Sequence, residues 1–136
     1  MLGLCLSAGA LVVALGDSAT LRWTHSVQKT LWEEDYRVNG NRVELQRARV
    51  QGTGAGMEPP PDAQLRDGAW HYQPQLQLEQ VVLRHSRYVE PYTVCTALAC
   101  ARVDAWLPGL PPEAELTLRV GDCGAAPSVG PAAQPL

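Results

Sequence analysis

Trp32-Glu33-Glu34-Asp35-Tyr36-Arg37-Val38-Asn39-Gly40-Asn41-Arg42-Val43-Glu44-Leu45 is the stretch that decides the fold. Trp32, Glu34, Tyr36 and Val38 recur at every second position, which is the period of a β-strand and not of a helix. Asn39-Gly40 then supplies residues that accept positive φ in a tight hairpin turn. With Asn41 opening the return strand, Val38 faces Asn41, Tyr36 faces Val43, Glu34 faces Leu45 and Trp32 faces Arg47. Apolar positions therefore meet across the pair, which is what fixes register in a sheet with one buried face.

The same alternation extends upstream. Leu21, Trp23, His25 and Val27 share one face of a strand from Thr20 to Val27, and Thr20, Arg22, Thr24 and Ser26 share the other. Downstream, Gly52, Gly54, Gly56 and Pro59 to Pro61 exclude helix and central strand and imply a long shaped loop. Beyond a turn at Asp67-Gly68, strands are expected at Ala69–Tyr72, Leu76–His85, Tyr88–Leu98 and Glu115–Val120, with a short helix over Ala99–Leu107 ending before Pro108-Gly109. The fold class that follows is all-β or β-rich: a single small sandwich or open barrel of six to eight short antiparallel strands with one short helix.

At 136 residues the chain has room for one ordinary domain. Phe is absent although 46% of residues are hydrophobic, so Trp, Tyr, Leu and Val must fill the core. The formal charge is −3, and the cations, all Arg except Lys29, are interleaved with Asp and Glu. A nucleic-acid partner is not expected, because displacing counterions from phosphates needs clustered cations.

Leu2 to Leu15 carries no charge. At about fourteen residues it is short of the roughly twenty that a membrane helix needs, and it reads as the apolar core of an export leader, with cleavage after Gly16. The expected division is therefore 1–16 as signal peptide or short membrane leader, 17–123 as the β-rich domain and 124–136 as a disordered tail. Lipidation at Cys5 is disfavoured because no hydrophobic run precedes it. Cys95, Cys100 and Cys123 remain as disulfide candidates in an oxidising compartment, with Cys95–Cys100 and Cys100–Cys123 as competing pairs. A zinc site would need paired short spacings and a nearby His, and His85 is ten residues before Cys95.

Three segments concentrate the residues of interest: Trp23-Thr24-His25-Ser26-Val27-Gln28-Lys29-Thr30, the pair Glu33-Glu34, and Gly54-Ala55-Gly56-Met57-Glu58. Together they resemble the domain-of-unknown-function 1850 (DUF1850) family over roughly residues 20 to 123. The resemblance implies a small bacterial exported protein encoded beside TAXI-type tripartite (TRAP) transporters, and no activity. Its association with a TAXI-type solute-binding protein or TRAP membrane subunits, and with a small carboxylate, is a setting and not a physical argument.

The residues point to the same surface. His25 and Glu34 lie on the apolar faces of adjacent expected strands, where they would sit side by side either as a structural pair or as a ligand or partner contact. Gly54, Ala55 and Gly56 would form a bend or a nest of backbone amides, and Lys29 would supply a cation for an acidic group. The candidate surface is His25, Ser26, Lys29, Glu33, Glu34, Gly54, Ala55, Gly56, Met57 and Glu58, with no catalytic residue, metal or cofactor assigned. Adjacent His25 and Ser26 point to opposite strand faces and so cannot form a hydrolytic pair. The prolines bar the helix that a phosphate loop requires, and Met57, His71 and His85 are too scattered for copper. The function expected is an exported accessory or interaction module of a TAXI-type TRAP transporter, with an independent periplasmic small-molecule-binding protein as the alternative and a small metal-binding or hydrolytic protein third.

Overall fold

The computed structural model describes residues 2–24, 30–51 and 60–124. Two antiparallel sheets pack against each other. The smaller holds β1 (Gly3–Ala8), β2 (Leu11–Gly16), β9 (Gln80–His85) and β12 (Ala114–Gly121), in the order β2-β1-β12-β9. The larger holds β3 (Ser18–Thr24), β4 (Leu31–Asn39), β5 (Arg42–Gln51), β6 (Gln64–Arg66), β7 (Ala69–Tyr72), β10 (Thr93–Cys95) and β11 (Cys100–Arg102), in the order β11-β10-β3-β4-β5-β7-β6; β8 (Leu76–Leu78) also pairs with β5. One short helix, α1 (Val103–Trp106), follows β11. The β-rich, sandwich-like class read from alternation is what the chain adopts, and neither sheet closes into a barrel.

Every second residue of the central strands enters one core. Ala19 and Leu21 of β3, Tyr36 of β4 and Val43 and Leu45 of β5 meet Leu4, Leu6, Leu116 and Leu118 from the smaller sheet. Fully burying one such aliphatic chain stabilises the fold by about 1.5–3 kcal/mol, which makes this row the main support of the sandwich. Trp106 closes one end, its indole Nε1 donating to the Val94 carbonyl at 3.0 Å.

Several expectations need correcting. The stretch 1–16 expected as a leader is built into the fold from Gly3 onward: β1 and β2 form a hairpin turning at Gly9, whose φ is +58°, and Leu4 and Leu6 are fully buried. An uncharged run of this length fits an export leader and a pair of buried strands equally well, and the small residues at its centre make the turn. Cleavage after Gly16 would remove two of the four smaller-sheet strands and one end of a disulfide joining Cys5 to Cys123. The second disulfide joins Cys95 to Cys100, directly opposite residues of β10 and β11, which settles the pairing that the spacing left open.

Strands outnumber the expected six to eight because β1 and β2 are added and the longer runs break. Leu76–His85 divides into β8 and β9, which belong to different sheets, and Tyr88–Leu98 is extended only over Thr93–Cys95. Ala99–Leu107 begins as β11, drawn into the sheet by pairing with β10, so the helix is confined to Val103–Trp106. In the central hairpin Asn39 pairs with Arg42 and Val38 with Val43, placing the turn one residue later than expected at Gly40-Asn41, with Gly40 at φ +62°. A bulge at the Asp35/Tyr36 step then brings Glu34 opposite Ala48 and Trp32 opposite Val50. The register moves: Tyr36, Val43 and Leu45 keep their shared face, whereas Arg47, expected opposite Trp32, passes to the other face across from Asp35.

Candidate functional site

Residues 25–29 connect β3 to β4, and residues 52–59 follow β5. The strand ends to which they attach lie in adjoining rows, with Thr24 opposite Leu31 and Gln51 opposite Ala69. His25, Ser26, Lys29, Gly54, Ala55, Gly56, Met57 and Glu58 of the expected surface all lie outside the described residues, as does the tail beyond Gly124. The expected pairing of His25 with Glu34 therefore falls outside as well. Of the expected residues, Glu33 and Glu34 are described, and they do not share a surface. Consecutive strand residues point to opposite faces, so β4 sends Glu34 inward and Glu33 outward.

On the inward side Glu34 sits at the margin of the core. Tyr36 Oη donates to Glu34 Oε1 at 2.8 Å. Burial pushes the Glu34 carboxyl above its usual range, and the Tyr36 hydrogen bond offsets only part of that. Burial together with the Glu34 charge raises Tyr36, Tyr72 and Tyr92, so all three phenols remain protonated donors at neutral pH. Next along this face Trp23 and Trp32, directly opposite each other, stack with ring centroids 6.0 Å apart, and Tyr92 meets Trp23 edge-on at 5.6 Å. Among the described residues the indole N–H groups of Trp32 and Trp70 find no acceptor.

On the outward side the same strands carry paired charges. Arg49 of β5 donates through Nη1 and Nη2 to Asp35 at 2.8 Å each, and its Nε lies 3.5 Å from Glu33. Arg22 of β3 donates to the other Glu33 oxygen at 3.0 Å, and Thr20 Oγ1 donates to Asp35 at 2.7 Å. Further along, Arg37 donates to the buried Glu44. Burial alone would push Asp35 up, but the bonds from Arg49 and Thr20, with the charges of Arg49 and Arg47, outweigh it and hold the carboxyl below its usual range.

Beside this array lies a groove of about 630 Å³ whose walls include Arg47, Arg49, Asp62, Gln64, Arg66 and His71. Strand pairing assembles it: Arg49 lies opposite His71, and His71 opposite Gln64. Of these groove residues the sequence drew attention only to His71, as a copper ligand set aside with Met57 and His85, and the others were not singled out. The alternation Arg47-Ala48-Arg49, with Ala48 buried between two cations, was the available signal. Among the described residues no three His, Cys, Asp or Glu side chains converge as a metal would require, and no helix is long and apolar enough to cross a membrane.

No curated protein and no solved structure matches the chain. Residues 19–102, running from β3 through β11, match the family described as Domain of unknown function (DUF1850). That match covers more than half of the sequence and contains both faces of β4 and the whole groove, so the chain belongs to the DUF1850 family.

Proposed function

We propose that this protein is an exported, non-catalytic accessory of a TAXI-type TRAP transporter for carboxylate solutes, and that it meets the TAXI-type solute-binding protein or the TRAP membrane subunits through the outer face of the larger sheet. One observation carries the reading: Arg22, Glu33, Asp35 and Arg49 form a continuous array on the sheet, held by hydrogen bonds from Arg22 to Glu33 and from Arg49 to Asp35 and by the ion pair of Arg49 with Glu33. Charges held in place in this way favour recognition of a complementary surface, where they set register and reject wrong partners. Both disulfides support a working compartment outside a reducing cytosol. The transporter setting comes from the family resemblance.

The test is affinity capture from native membranes with the full oxidised chain as bait, with and without added solute. Recovery of a transporter subunit at low salt and its loss at high salt is expected. Recovery of no transporter subunit under any of these conditions overturns the accessory reading. A second reading, an independent small-molecule-binding protein of the same compartment, is favoured by the groove, whose volume falls within the range of small-ligand sites.

A further inference from the structure

The groove holds more positive charge than its own fold uses. Arg49 is committed to Asp35 and Glu33, so it forms part of the wall and offers no free charge. Arg47 lies opposite Asp35 in the β4–β5 ladder and lowers its pKa through space. Yet among the described residues neither Arg47 nor Arg66 makes an ion pair. Two guanidinium groups thus face one hollow, with His71 between them and Asp62 as the acidic member of the wall.

Their placement follows from register. Arg66 pairs with Ala69, and Ala69 with Gln51, so Arg66 lies two strands across from β5 and in the row four residues beyond Arg47. On a pleated sheet that is a Cα separation of about 16 Å, taking about 4.8 Å between strands and 3.3 Å per residue. Strand side chains stand roughly perpendicular to the sheet, so the two forks rise from one face about 16 Å apart, and chains that extend about 6–7 Å can lean together to the roughly 12 Å that a four-carbon dicarboxylate spans with a hydrogen bond of about 2.8 Å at each end. A guanidinium fork fits a carboxylate with two parallel hydrogen bonds, and a ligand bearing one carboxylate at each end satisfies both forks at once.

We propose that the groove between Arg47 and Arg66 is a binding site for a small dicarboxylate, one carboxylate held by each arginine, with the His71 ring and the Gln64 amide along its length. This deepens the accessory reading and rests on it for the compartment in which the ligand is met; the chemistry of the groove is independent of it. A single carboxylate engages one fork and leaves the other without a partner. A diamine places its charges against two cations and is rejected.

The experiment is calorimetric titration of the full oxidised chain with succinate, set beside acetate, inorganic phosphate and putrescine. Succinate is expected to bind, acetate at least about tenfold more weakly, and putrescine not at all. Arg47→Gln and Arg66→Gln should each weaken succinate about tenfold or more, and Arg84→Gln, on β9 of the other sheet, should leave it unchanged. Arg66 and Arg47 are exposed, so both variants should retain the parent unfolding midpoint; if one does not, Arg→Lys at that position keeps the charge, removes the fork and should still weaken succinate. No succinate binding, phosphate binding as tightly as succinate, or succinate affinity unchanged in the double Arg47→Gln/Arg66→Gln variant would each overturn the proposal. Absent succinate binding beside successful capture of a transporter subunit removes the groove ligand and leaves the accessory reading standing; the converse result does the opposite.

Discussion

Glu34 and Asp35 are neighbours in sequence whose surroundings move them in opposite directions. Glu34 enters a margin of aromatic rings, where burial outweighs its one hydrogen bond and its carboxyl is raised. Asp35 meets Arg49, Thr20 and the field of Arg47, and its carboxyl is lowered although it too is partly buried. The inner face of the larger sheet is thus held by removal of apolar surface from water, whereas the outer face is held by charges that neutralise one another. A face of the first kind is committed to the fold. One of the second kind keeps polar groups ordered and reachable, which is what a binding surface needs.

The largest break in this comparison should come from the inner face. Leu21→Ala removes a fully buried side chain and should cost about 3 kcal/mol in urea unfolding, with little dependence on salt. On the outer face Arg49→Gln leaves Asp35 and Glu33 without their shared cation. It should cost about 1–2 kcal/mol, a loss that shrinks in high salt because these groups are partly exposed. Equal salt dependence of the two variants would erase the distinction between the faces.

Smaller effects sharpen it through pH. A lowered carboxyl contributes stability that is complete above its unfolded value and is lost as pH falls through the folded value, so Asp35 supports the fold down into the acid range. A raised carboxyl has the opposite sign: Glu34 favours the native state only while protonated, and stability declines as pH rises from its unfolded value through its folded one. Glu34→Gln should therefore be neutral or stabilising by less than about 1 kcal/mol at neutral pH, and should remove that decline from a stability-versus-pH series. Tyr36→Phe, which deletes the one hydrogen bond lowering Glu34, should move the Glu34 titration further upward.

Much of this arrangement was legible in the residues. Period-two alternation from Trp32 to Val38 and the Asn39-Gly40 signal identified a hairpin with the right faces. Its register was not legible, because a bulge at Gln46 and a one-residue shift of the turn are set by how β5 packs and pairs on its other side. Leu2 to Leu15 carried two meanings. The count of four cysteines was the clue that Cys5 belongs to the folded domain, since discarding it left an odd thiol. Alternation applied to Glu33-Glu34, as it was to His25-Ser26, separates the two carboxylates onto opposite faces. The groove was hidden for a different reason: Arg47 and Arg66 are brought together only by the pairing of β5 with β7 and of β7 with β6, which no local motif encodes.

The most direct test of the two-faced strand is a pH titration of side-chain carboxyl carbons by NMR in the full oxidised chain. Glu34 should titrate above the ordinary glutamate range and Asp35 below the ordinary aspartate range, with Arg49→Gln moving Asp35 upward and leaving Glu34 in place. If both carboxyls titrate at ordinary values, or Arg49→Gln moves them together, the two residues do not lie on faces of different character and the account fails.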